Sequence, residues 1–314
     1  MKTLASLGLL AAPLLLTSQA FGQRTLFSID WQSATVGMPD SASFTPITHG
    51  DILIVNGGTP GLDPLPTPDI AITHLIGGLG LFPGCVGSPP GSMCRVEVDA
   101  FSWGVDDLIT TAGIQPGQLQ FGVDRFAGGN GPMLPNVLSE RPFGDASADV
   151  FMNSGFLPPG PLPMGPSVGH RGVLDGNGLP SGSGYTYAGL GLIEPALPSS
   201  AFANAGDNLD ALDTLPVGAT PPPVVYFSLD SVFPDPITGF PNLGSGLPFG
   251  YTGADILQTT FGLAPVVWAP EWLLGLGLTG LADDVDALTL VDNGDGIFQP
   301  SIVPYDWVGG TTDM

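Results

Sequence analysis

The sequence predicts an all-β protein made of three internal repeats of about four short strands each, in a propeller-like or other pseudo-three-fold closed architecture. Three observations lead there. The 314-residue chain carries 47 glycines and 34 prolines, so few ten-residue stretches escape a helix breaker. Between the breaks lie short β-branched and aromatic runs, as in strands joined by tight loops. Four short motifs then return three times in one order. A hydrophobic content of 43% is enough for a core and argues against wholesale disorder.

The chain opens with Met1-Lys2, an apolar run from Leu4 to Leu16, and Ala20-Phe21-Gly22. These are the parts of an export signal, with cleavage expected near Gly22. The run is too short for a comfortable membrane span. Residues 1–22 are therefore read as a signal peptide and residues 23–314 as one exported domain, secreted or periplasmic, with no membrane insertion.

The repeat begins at Phe27-Ser-Ile-Asp30, which returns as Phe121-Gly-Val-Asp124 and Phe227-Ser-Leu-Asp230. Next come Gly50-Asp51-Ile52-Leu53, Ala148-Asp149-Val150-Phe151 and Ala254-Asp255-Ile256-Leu257. A Leu-Gly-Leu strand follows at Leu79, Leu190 and Leu276. Each unit closes on an aspartate in an apolar strand: Val98-Asp99-Ala100, Leu209-Asp210-Ala211 and Val285-Asp286-Ala287. The units run over residues 25–118, 119–224 and 225–314. Ser301-Ile-Val-Pro-Tyr-Asp306 reads as a partial fourth copy that would complete the first unit and close a ring. Residues 57–68, 128–142 and 156–184 read as long loops inserted on one rim.

These motifs resemble those of a group of exported bacterial proteins with FSLD, ADIL and DDLDAL-type repeats. The resemblance covers most of the mature chain. It implies a repeat architecture and carries no activity.

Lys2 is the only lysine and leaves with the signal peptide, so five arginines face 29 acids, a balance of −24. That charge argues against nucleic acid or an anionic membrane as partner. Of the acids, 25 are aspartates and four are glutamates. Aspartate is favoured where a short carboxylate bonds its own backbone in a turn, or supplies oxygen to Ca²⁺. Asp292-Asn293-Gly-Asp295-Gly resembles the middle of an EF-hand loop, but the full loop fails: Val291 and Ile302 stand at its first and twelfth places. A minimal calcium turn of Asp292, Asn293 and Asp295, completed by Asp283 or Asp284, competes with a plain Asx turn. Asp175-Gly-Asn177-Gly178 reads as a plain loop.

Cys85 and Cys94, the only cysteines, read as a disulfide across one hairpin loop. Gly165-Pro-Ser167-Val-Gly169 matches a nucleophile-elbow string, yet Pro/Gly sequence surrounds it where a strand and a helix are needed. His49, His74 and His170 lack zinc-ligand spacing; strand alternation would put His49 on the face of Asp51. Catalytic residues are therefore not assignable from sequence. The repeat-equivalent carboxylates Asp99, Asp210 and Asp286 either bond backbone at strand ends or converge, and convergence requires a cation or shared protons. The expected function is a structural or glycan-binding module assisted by Ca²⁺, with a carbohydrate or surface polymer as partner. The alternative is a glycoside hydrolase using Asp carboxylates. Trp31, Trp103, Trp268, Trp272 and Trp307 suit sugar stacking or the core.

Overall fold

A computed structural model describes residues 26–30, 32–55, 67–75, 77–82, 96–102, 119–124, 127–129, 131, 133–153, 169–179, 184–185, 187–194, 206–215, 224–230, 244–259, 263–277 and 283–290. The signal segment, Cys85, Cys94, Ser167, Asp292, Asn293, Asp295 and the partial fourth copy lie outside these residues.

Antiparallel strands dominate. The first sheet has the order β1 (Leu26–Phe27), β2 (Ile52–Ile54), β3 (Asp69–Ile72). After β4 (Leu81–Phe82), the second sheet begins with β5 (Phe101–Ser102) and β6 (Gln120–Phe121). A short β7 (Gly128–Gly129) pairs with β4, and the second sheet continues with β8 (Val150–Asn153) and β9 (His170–Leu174). The third sheet runs β10 (Leu209–Leu215), β11 (Val224–Leu229), β12 (Ile256–Gln258), β13 (Val266–Ala269). Among the described residues, helix is limited to single turns, α1 (Val137–Glu140), α2 (Gly246–Phe249) and α3 (Glu271–Leu274), with a 3-10 turn at Arg141–Phe143. No closed barrel or propeller is seen among the described residues.

The three large sheets share one register. Phe27 pairs with Leu53, Phe121 with Phe151, and Phe227 with Leu257. Leu53 then pairs with Ile70, Phe151 with Gly172, and Leu257 with Val267, each pairing following a register shift one residue earlier. An aspartate precedes the second-motif strand in every sheet. Its Oδ1 accepts a backbone N–H just past the end of the neighbouring strand: His74 N to Asp51 at 2.9 Å, Gly176 N to Asp149 at 3.0 Å, Glu271 N to Asp255 at 2.8 Å. Asp51, Asp149 and Asp255 thus stitch a strand end that the ladder leaves open.

Between sheets lies the core. Ile52, Ile72, Val96, Val98, Phe121 and Phe151 are buried together between the first and second sheets. Val150, Leu174, Leu209, Leu212, Phe227 and Leu257 fill the space between the second and third. Tyr226, Ile256, Trp268, Leu288 and Leu290 cover the third sheet's remaining side. Each fully buried large apolar side chain contributes roughly 1.5–3 kcal/mol.

Three sequence expectations need correction. The Leu-Gly-Leu motifs are turns rather than strands, because Gly80, Gly191 and Gly277 all take left-handed φ, 75°, 84° and 77°. Among the described residues of these motifs, only Leu81 enters a strand, in β4. Residues 128–142 are not merely a loop. They hold β7 and α1, whose N-terminus is closed by Asn136 accepting from Leu138 N and Ser139 N. Residues 156–184 likewise contain β9, which its glycine-rich flanks conceal in sequence.

Candidate metal centres

The strand aspartates do not meet at one point. Asp210 sits in β10, and its carboxylate joins those of Asp284 and Asp286, with one oxygen of each within 4.8 Å of the others. Two oxygens bound at about 2.4 Å to one Ca²⁺ are at most about 4.8 Å apart, so one ion can span the three. Asp210 and Asp284 are half-buried and Asp286 is exposed. Burial first, then Asp230, Asp286, Asp284 and Glu97, pushes the Asp210 carboxyl well above its ordinary range, and its buried Oδ2 has no hydrogen-bond partner. Asp283, with Asp284 one of the two residues expected to complete the calcium turn, accepts the Gly277 N–H at 2.8 Å through Oδ2.

Asp99 takes a different partner. The Asn208 amide donates to its Oδ2 at 3.1 Å. Burial pushes the Asp99 carboxyl well up, with Glu97, Asp124 and Asp210 adding to the rise. Asn208 stands two residues before Asp210, as Asp284 stands two before Asp286. The contact of Asn208 with Asp99 therefore returns as Asp284 facing Asp210, with a carboxylate where an amide donor stood. Neighbouring backbone contacts repeat as well. Ser102 Oγ accepts from Thr214 N at 3.2 Å, and Asp213 Oδ2 accepts from Leu290 N at 2.6 Å.

A second acidic cluster draws on the recurrent Asp149 and on the Asp-Gly-Asn-Gly string. Asp149, Asp175 and Glu194 also present oxygens within 4.8 Å of one another, and all are buried there. Asp175 lies one residue past β9 and accepts Asn177 N at 3.0 Å and Gly178 N at 2.6 Å through Oδ1. Glu194 Oε2 accepts Asn177 N at 3.2 Å, while its Oε1 is buried without a hydrogen-bond partner. The Tyr187 hydroxyl donates to Asp149 Oδ2 at 2.6 Å. Burial is the main cause that lifts all three carboxyls. Asp175 and Glu140 raise Asp149 further; Asp149, Asp145 and Asp175 raise Glu194; Asp175 reaches about 6. Asp175 is a departure from the motif pattern that the sequence could have shown, since Thr73 stands in the matching place of the first sheet.

The histidines serve structure. His74, not His49, pairs with Asp51, Nδ1 to Oδ1 at 2.8 Å, while His49 Nε2 accepts from Val96 N at 3.3 Å. Burial holds the Asp51 carboxyl's charge at a cost that its bonds to His74 and Thr48 exceed, so its pKa is lowered. His170 is fully buried, edge-on to Phe121 and Phe151. Its Nδ1 lies 2.9 Å from Leu79 O and its Nε2 accepts from Val137 N at 3.2 Å. Burial lowers its pKa to about 4, so it is neutral in the fold. Trp268 packs edge-on against Tyr226 in the core, whereas Trp272 on α3 is exposed. No helix among the described residues is long and apolar enough to cross a membrane. No family model matches the chain, and no curated protein or solved structure is significantly similar to it.

Proposed function

We propose that this chain is an exported β-repeat module with a structural or ligand-binding role, its units joined with the help of Ca²⁺. The observation that carries the reading is Asp284 facing Asp210 where Asn208 faces Asp99. An amide closes the first junction by donating a hydrogen bond. Two or three carboxylates at the next junction repel unless a cation or protons sit between them. The equal register of the three sheets and their equal aspartate stitches support three tandem units. A glycan or surface polymer is the proposed ligand class, and the exposed Trp272 offers an indole face of the kind that stacks on sugars. The hydrolase alternative has less support, because Asp149 and Asp175 are buried and bonded to backbone N–H groups rather than set in an open cleft.

The test is the melting temperature of the mature protein in Ca²⁺ against Na⁺ at matched ionic strength. At millimolar Ca²⁺ and a dissociation constant of about 10⁻⁴ M, a site present only in the folded state adds about 1.4 kcal/mol, a shift of a few degrees. Asp284→Asn should lose part of that shift. Without calcium it should melt above wild type, because the new amide can donate to Asp210. Equal shifts in the two salts would sink the calcium reading.

A further inference from the structure

We propose that Asp149, Asp175 and Glu194 form a second divalent-cation site, of Ca²⁺ chemistry, at the edge of the second sheet. The proposal extends the calcium reading to residues that the junction does not use. Asp51 and Asp255 perform the same backbone stitch as Asp149, and in the first sheet Thr73 occupies the place of Asp175. The stitch therefore needs one carboxylate, and Asp175 and Glu194 are additions that bring like charges into a buried space.

Glu194 carries the second, independent observation. Its Oε1 is buried without a hydrogen-bond partner, and one oxygen of its carboxylate lies within 4.8 Å of oxygens of Asp149 and Asp175. A carboxylate oxygen taken out of water without a donor is costly, and the cost is removed by a metal ion. The backbone is shaped to admit it. A Cβ on Gly176 would come within 2.2 Å of Glu194 Oε1 and 2.6 Å of Ala148 Cβ, so the absent side chain is what lets the glutamate lie over the strand end.

The donor set names the ion. The three ligands are carboxylate oxygens, without histidine or cysteine, which suits a hard cation and not zinc or copper. Mg²⁺ demands a near-ideal octahedron at about 2.0–2.1 Å and keeps several waters, whereas Ca²⁺ accepts irregular oxygen sets at about 2.3–2.6 Å. A buried group of three carboxylates fits the latter. Tyr187 holds one of them in place: its hydroxyl occupies Asp149 Oδ2 as a donor, and burial beside the acids keeps it protonated.

The experiment is calorimetric titration of chelator-stripped mature protein with CaCl₂, comparing wild type, Glu194→Gln, Asp175→Asn and Asp284→Asn. Wild type should bind two Ca²⁺ ions. Glu194→Gln and Asp175→Asn should each weaken one site by at least about tenfold while leaving the other. Asp284→Asn should remove the other site alone. In calcium-free buffer, Glu194→Gln should melt at or above wild type, which shows that it folds; if it does not fold, Asp175→Asn decides by the same criterion. An unchanged titration in the folded variant, or no calcium bound by wild type, overturns the proposal. If Asp284→Asn changes nothing while Glu194→Gln abolishes all binding, the junction reading fails and this site stands.

Discussion

At the scale of single residues, His170 shows how a polar side chain is used in the core. Its ring lies between Phe121, Phe151 and the start of α1, and it joins Leu79 O to Val137 N. The neutral imidazole does both tasks, donating from one nitrogen and accepting at the other. Protonation would turn the acceptor into a donor facing Val137 N–H. The folded pKa of about 4 lies below the ordinary 6.5, so the unfolded chain binds the proton more readily between those values. Stability from this residue is therefore complete above pH 6.5 and is lost as pH falls through that window, by about 3 kcal/mol in all. His170→Gln should cost stability at pH 7.5. The gap to wild type should narrow as urea melts are repeated down to pH 4. A gap that is constant with pH would show that His170 titrates alike in the folded and unfolded chain, against the lowering by burial.

At the scale of elements, the glycine of each Leu-Gly-Leu takes a left-handed φ that a side chain disfavours. At Gly191 the φ of 84° already disfavours a side chain, and a Cβ would also meet Leu263 O at 2.0 Å. Gly250 shares the left-handed φ, 78°, with open space around it. Gly250→Ala should therefore cost only about 1 kcal/mol, from backbone conformation, while Gly191→Ala should cost well over 2 kcal/mol because backbone must also move. Equal denaturation midpoints for the two variants would contradict this account. The motif and its spacing are legible in the string, but Leu-Gly-Leu reads as strand because alternation is visible and φ is not. Strand β9 stays hidden for a related reason, since Arg171 and Gly172 break the apolar run that its pairing with β8 supplies with a partner. The aspartate of each second motif was legible as a recurrence, and its role as a strand-end stitch was not. Of the metal candidates, Asp210, Asp284 and Asp286 were each named from sequence, yet their meeting depends on residues 74 apart. Glu194 carried no local signal, because its partners come from the residue before β8 and the turn after β9.

At the scale of the whole molecule, the cores do not belong to single sheets. Val98 and Phe121 pack with Ile52 and Ile72, and Leu209 and Phe227 pack with Val150 and Leu174, so each sheet's apolar face is covered by the next. Backbone bonds follow the same route: Val98 N donates to His49 O, and Leu209 N to Ser147 O. A repeat protein whose units touch only neighbours can lose cooperativity when the units are stable alone. Here a sheet freed from its neighbour would expose most of its buried side chains, so the units are expected to melt together. Phe121 and Phe227 give the measurement. Both are fully buried and pair with the second-motif strand at the same register, one in each of two sheets. Phe121→Ala and Phe227→Ala should each destabilise by about 3–5 kcal/mol. Each should lower one and the same calorimetric transition, with calorimetric and van't Hoff enthalpies in agreement. If instead the scan resolves two transitions and each substitution moves only one of them, the sheets are separate folding units. The shared cores would then contribute little to holding them together, and a cation at the junction of Asp210 with Asp284 would stabilise the third sheet alone.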